Sequence, residues 1–364
     1  MQVSIVVVIG QKSFDFFHQL NNMFLGIEFF VWLISNSSVE LGNQSMTQEE
    51  KNMRIEFFAP LSRAWNRMKV ALFKPFDLHK WFVVGFTAFL AGLADSQHGS
   101  SGSRWSDGGS FREFLGFPAR AWDWLIGHPG WFMLIAFGVF VVVVIGIVVL
   151  WVSSRGKFMF LDNVVHDKAE VANPWREYKR EGDSLFLWRL VFVLVCFVIF
   201  ISLAVLFFVG ASQLYEESRF DRIPIPFMIL IGLIFLFMII VIGYISLFLD
   251  SFVVPIMYKH KVPATRGWGR FLSLFGRSPF HFILFGIIMF IFMILFVIFV
   301  IVAGIVTCCI GWILLVIPYI GTVVTLPVWY WFRAFSVEFL AQFGNEYDAF
   351  PPVEAQPAPA KATT

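Results

Sequence analysis

Residues 131–152 read WFMLIAFGVFVVVVIGIVVLWV, a run without charge and with Trp131 and Trp151 at its ends. A stretch of about 18 or more apolar residues is long enough to cross a bilayer as a helix, because ~20 residues match the ~30 Å of hydrocarbon. In lipid the backbone must satisfy its own hydrogen bonds, which leaves only helices and closed barrels. Composition points the same way. The chain is 58% hydrophobic and 14% charged, whereas a soluble domain carries roughly 25% charged residues. Its 47 Phe and 14 Trp residues suit lipid-facing bulk and interfacial belts.

Six runs of this kind predict spans at about 77–94, 131–152, 185–211, 226–249, 280–305 and 310–332. The expected fold is an all-α, polytopic transmembrane helix bundle. The first run is the weakest: Trp81–Ala94 is short and reaches bilayer length only if His79 and Lys80 snorkel to the interface. Lys and Arg set the orientation. Nineteen fall on the side that holds both termini and five on the other, so the positive-inside rule makes both termini cytoplasmic in a multi-pass cell (inner) membrane protein. A net charge of +2 gives no reason to expect nucleic acid as a partner.

The domain reading is an N-terminal extension (1–52), a membrane domain (53–345) and a disordered Pro/Ala-rich tail (346–364). The N-terminal patches VSIVVVIG and MFLGIEFFVWLI are too short to span, and a start at Met46 or Met53 would make 1–45 dispensable. Residues 96–109 read as a flexible extracytoplasmic loop, followed by an aromatic stretch along the outer interface. Cys196, Cys308 and Cys309 lack metal-ligand spacing and fix no redox compartment.

The basic segments contain a repeat. PLSRAWNR (60–67) and PATRGWGR (263–270) share one pattern, and Arg63, Arg67 and Lys74 correspond in spacing to Arg266, Arg270 and Arg277. Positions i, i+4 and i+11 share one helical face, while Leu61, Trp65, Met68 and Leu72 share another. Such a helix is expected to lie in the interface, apolar face down, with cations against lipid head groups. NPWREYKREGDSLFLW (173–188) is a weaker third copy. Each unit ends in an apolar exit with one carboxylate: Asp162, Asp250 and Glu338, spaced 88 residues apart. The chain therefore reads as three helix-pair units, and the carboxylates are expected to face the arginines of neighbouring units.

Ionisable residues in spans are functional hypotheses by default. Arg189 lies one turn into the third span, where it is expected to snorkel. Pro318 and Pro327 predict a kinked last span, and broken helices can bind substrate in transporters. Asp162 and His166 sit one helical turn apart, as an acid/base pair would. No metalloprotease, P-loop, nucleophile-elbow or C-x-x-C signature is present. The expectation is a protein that is not an enzyme and carries no cofactor or metal.

CCIGWILLVIPYIGTVVTLPVWYWFRAFSVEFLAQFG (308–344), with DSFVVPIMY (250–258), resembles a bacterial family of six-span membrane proteins, a domain of unknown function. The resemblance runs from about Phe57 to Phe350 and carries no catalytic residues. More loosely, the alternation of basic Trp-containing segments with helix pairs is similar to the membrane domain of bacterial glycerophosphodiester phosphodiesterases. That likeness implies only a membrane module. The expected function is a non-enzymatic membrane protein whose cationic cytoplasmic face contacts anionic phospholipid or a partner, either a second copy or another membrane protein. Alternatives are a small-solute or ion transporter using the Pro-broken last helix, and a membrane-embedded accessory of lipid metabolism.

Overall fold

The computed structural model describes residues 56–74, 76–95, 115–217, 225–306 and 317–351. Expectations for the start of the chain, the 96–109 loop, Cys308 and Cys309, and residues 352–364 of the tail lie outside the described residues. Within them every regular element is helical. In chain order these are α1 (Phe58–Phe73), α2 (Leu78–Gly92), α3 (Phe117–Gly127), α4 (Pro129–His166), α5 (Ala172–Glu177) and α6 (Lys179–Glu217). Next, α7 (Ile225–Phe248) passes through a π-helical turn (Leu249–Val253) into α8 (Val254–His260). After these come α9 (Ala264–Arg277), α10 (Pro279–Val306), α11 (Pro318–Val324) and α12 (Leu326–Ala341).

Four helical stretches are long and apolar enough to cross a membrane: Pro129–His166, Lys179–Gln213, Ile225–His260 and Pro279–Val302. Each has two halves with different surroundings. In the most apolar part of each, only 6–11% of residues are buried inside the protein. These outer halves are arms whose Val, Ile, Leu and Phe side chains suit lipid as their surroundings. α4 shows the division most clearly. It is 38 residues long, about 57 Å at 1.5 Å per residue. Residues 131–148 are exposed on every side, and Ser153 to Val165 are buried without interruption. The switch coincides with the sequence SSRGK (153–157), where polar side chains first enter the helix.

The inner halves converge in a packed body. Phe252, Phe271, Phe282, Phe285, Phe335 and Phe339 are among its largest fully buried side chains. Phe252 is at their centre, with ring centroids 5.4 Å from Phe271, 5.0 Å from Phe282 and 4.8 Å from Phe285. Its offset and edge contacts are the geometries aromatic pairs favour. The helices at the two ends of the described chain pack together, α12 against α1. Both α1 and α9 are amphipathic, as their spacing predicts, but their apolar stripes turn inward. Ala64, Met68 and Leu72 of α1 and Trp268, Phe271 and Leu274 of α9 are buried in the core, so protein rather than lipid receives most of each stripe. Trp65 remains exposed.

The other two predicted spans differ from the long four. The first is α2, of 15 residues, about 22 Å, shorter than a hydrocarbon core. It packs against the inner half of α4. Ser153 Oγ donates to the Ala91 carbonyl (2.8 Å) and Asn163 Nδ2 to Thr87 Oγ1 (3.3 Å). Gly156 makes this approach possible: a Cβ there would lie 2.7 Å from the main chain of Leu90 and Ala91. The second is not one kinked helix. Pro318 opens α11, and Pro327 lies in the first turn of α12, the two helices meeting at Thr325. Proline is well placed in a first turn, where its missing N–H has no helical partner to lose. Residues 310–316 lie outside the described residues.

α11 lies against α2, with Tyr319 Oη donating to the Phe82 carbonyl (2.9 Å). Both short helices therefore belong to the body. α3 sits at the far end of α4's arm, and Val306 at the far end of α10's. The connections after Asp95 and after Val306 lie outside the described residues.

Candidate functional site

The arms meet the body at an ionic cluster built from five segments. Lys157 of α4 is among the largest fully buried side chains, 2% exposed. Its Nζ lies 2.8 Å from Asp95 Oδ2, just past the end of α2, and also pairs with Asp250 in the π turn. Arg189 of α6 reaches the same Asp95, Nη2 to Oδ1 at 2.7 Å, and donates from Nη1 to Ser153 Oγ at 3.1 Å. Arg189 is thus held among protein groups instead of snorkelling to an interface. Arg333 of α12 donates from Nη1 to the Asp250 carbonyl at 2.5 Å. A π turn widens the helix by one residue and disturbs its regular hydrogen-bond ladder, and the guanidinium caps an oxygen in that turn.

Beside the cluster, Arg155 forms a bidentate pair with Asp183, with Nη2 at 2.7 and 2.9 Å from the two carboxylate oxygens. Its guanidinium lies over the rings of Trp151 (4.4 Å) and Trp175 (5.0 Å). A buried charge is tolerated only when paired and hydrogen-bonded. Here cations from α4, α6 and α12 are matched by acids that follow α2, lie in the π turn or belong to α6. The cluster is the joint that fixes where the α4, α6 and α7 arms leave the body.

Glu338, 4% exposed, receives Arg63 Nε at 2.7 Å and Arg67 Nε at 2.5 Å. Arg67 also lies 3.7 Å over the Phe350 ring. The carboxylate of the third unit therefore meets arginines of the first. Among the described residues Asp162 pairs with no arginine. Its Oδ1 accepts from Tyr258 Oη at 2.7 Å and lies 3.1 Å from His166 Nδ1. Tyr258 stacks on Tyr178 at 4.8 Å. Asp162 and His166 line an open cleft of about 630 Å³ with Lys168, Arg176 and Glu177 among its walls. At its rim Lys261 donates to Glu177 (2.7 Å). That bond holds the Glu177 carboxyl below the usual range and raises the Lys261 ammonium.

Of the other basic residues singled out by the repeat, Lys74, Arg266 and Arg277 are exposed. Arg270 is partly buried, and its Nη1 meets no hydrogen-bond partner among the described residues. Among the described residues no group of three or more His, Cys, Asp or Glu side chains could hold a metal ion. The sequence counts Lys157, Arg155 and Arg333 only as cytoplasmic charges and gives no sign of Asp95 or Asp183 as their partners. The available signal was a Ser-Ser-Arg-Gly-Lys string continuing directly from a lipid-facing helix.

A helical body bearing four long apolar arms, joined through a buried ionic cluster, defines an all-α protein of membrane type. The chain matches the model of the Family of unknown function (DUF7544) over residues 57–343, and it belongs to that family. No curated protein and no solved structure matches it.

Proposed function

We propose that this is a non-enzymatic, multi-pass protein of the inner membrane whose body lies at the cytoplasmic face and binds anionic phospholipid. The division of the four long helices carries the reading. Each has one half with an apolar, lipid-suited surface and one part packed in the body, among charges for the first three and among aromatic rings for the fourth. Four passages of the chain, one through each long helix, accord with this division. Both ends of the described chain then lie on the body side, where the Lys and Arg residues concentrate, as the positive-inside rule requires of a cytoplasmic face.

Exposed cations on that body support lipid contact. Arg180, Arg266, Arg277 and Lys74 are all exposed, and each contributes about 1 kcal/mol of attraction near an anionic surface. Arg63 and Arg67 contribute less to such a surface, because Glu338 already neutralises them in part. The transport alternative has less support. Pro318 and Pro327 lie in the first turns of α11 and α12, which pack in the body. A lipid-metabolism accessory role follows from the same lipid contact and needs no separate site.

The test is native mass spectrometry of the protein released from nanodiscs of mixed phosphatidylglycerol and phosphatidylethanolamine. The expected spectrum shows retained lipid enriched in phosphatidylglycerol over the bulk ratio. Retention at the bulk ratio would overturn the reading.

A further inference from the structure

The sequence singled out Arg266 only as one of several surface cations. In the fold it is one wall of a small cleft, about 260 Å³, formed where the start of α6 meets the turn between α8 and α9. The lining is Arg180, Glu181, Ser184, Lys261, Val262, Pro263 and Arg266. Among the described residues neither Arg180 nor Arg266 pairs with a carboxylate, whereas two cations nearby do. Lys261 takes Glu177 at 2.7 Å, and Arg155 takes Asp183. Ser184 Oγ accepts from the Ala264 N–H at 3.0 Å, which leaves its own hydroxyl proton for a ligand. Glu181, 6% exposed, is the one acid in the lining, and with Lys261 already taken by Glu177 it is Arg180 and Arg266 that outweigh it. Lys261 is in left-handed backbone conformation (φ 50°), which turns the chain sharply between α8 and α9 at the edge of this cleft.

The depth of the cleft decides what can reach it. Leu187, 61% exposed, is the first strongly lipid-suited residue of the α6 arm. It lies three residues beyond Ser184, about 4.5 Å along the helix. Trp188 stacks on Trp268 at 5.1 Å and on Phe192 at 5.2 Å, an aromatic step of the kind found at membrane interfaces. A group held by Arg180 and Arg266 therefore sits at head-group level, beside the foot of an apolar arm along which acyl chains can lie.

We propose that this cleft is a binding site for the phosphate group of an anionic phospholipid, with Arg180 and Arg266 as its charge-assisted donors and Ser184 as a neutral one. Guanidinium forks match phosphate oxygens in geometry as well as charge. The inference rests on the lipid-contact reading above and narrows it from a diffuse cationic face to one place.

The experiment uses the full chain in nanodiscs containing phosphatidylglycerol and phosphatidylcholine. Bound phosphatidylglycerol is read by native mass spectrometry for the unaltered protein, for Arg180→Gln/Arg266→Gln, and for a charge-matched control, Lys69→Gln/Lys259→Gln. Circular dichroism and size-exclusion profiles confirm that all three are folded. The expected result is a loss of at least five-fold in tightly retained phosphatidylglycerol for the Arg double variant, and a change of less than two-fold for the control. Equal losses in both would overturn the cleft while leaving anionic-lipid contact intact. Absence of phosphatidylglycerol enrichment in the unaltered protein would overturn both readings. A final arm measures thermal stabilisation in detergent by inorganic phosphate, glycerol phosphate and short-chain phosphatidylglycerol. Stabilisation by the lipid alone is expected. Equal stabilisation by the two soluble phosphates would overturn the lipid as the source of the phosphate.

Discussion

Lys157 is held between carboxylates from two different segments, and its own side chain is 2% exposed. Its carboxylate partners are more open, 45% for Asp95 and 30% for Asp250, which tempers the cost of stranding them. Lys157→Met should lower stability by about 2–4 kcal/mol, at the lower end of what breaking a buried pair costs. Adding Asp250→Asn should restore part of that loss, a non-additivity that a double-mutant cycle of thermal unfolding in detergent would read. A weaker pair provides a pH test. Glu177 has a depressed pKa, so its contribution is present above the usual carboxylate range and fades as pH falls through its folded value. Lys261 is raised, so its contribution is present below its ordinary pKa and fades as pH rises through the folded value. Both partners are about half exposed. Glu177→Gln should therefore cost less than about 1 kcal/mol at pH 7, a difference that closes in acid. Asp162, Asp250 and Glu338 were legible from their spacing alone. Their partners were not, because Lys157 is 93 residues from Asp250 and Arg67 is 271 from Glu338, and spacing along a chain says nothing about contacts at that range.

Among elements, the long helices were legible because a hydrophobic run longer than a bilayer has few other fates. The short ones were not. Residues 77–94 and 310–332 are apolar, and apolar residues suit a protein core as well as lipid. What separates the two fates is local. Thr87, Ala88 and Ala91 give α2 a small-residue face, and Gly156 gives α4 the matching hollow. Gly156→Val would push α2 from α4, since even a Cβ meets main chain at 2.7 Å. The expected cost is about 1–3 kcal/mol, read as a lowered unfolding temperature. Gly138 stands in open space on the arm of the same helix, so Gly138→Val should leave that temperature nearly unchanged. The repeat was legible as helices α1 and α9. Their burial was not, because amphipathicity fixes which face is apolar without saying whether protein or lipid covers it.

For the whole molecule, the shape follows from a division of labour along each long helix. Outer halves with no charge leave the protein, and inner halves carrying Lys157, Arg155, Arg189 and Asp250 are drawn together by pairing. On the proposed reading the body holds cations at the depth where head groups lie, and the ionic joint fixes the direction in which the arms leave it. Membrane-impermeant labelling of single cysteines tests this arrangement most directly. With Cys196, Cys308 and Cys309 replaced by Ser, one cysteine is placed at Gln213, at the tip of the α6 arm, and another at Lys259, in the body. The protein is labelled in right-side-out and inverted membrane vesicles. The arrangement predicts that Lys259→Cys reacts only in inverted vesicles and Gln213→Cys only in right-side-out ones. Reaction of both from the same side would contradict it.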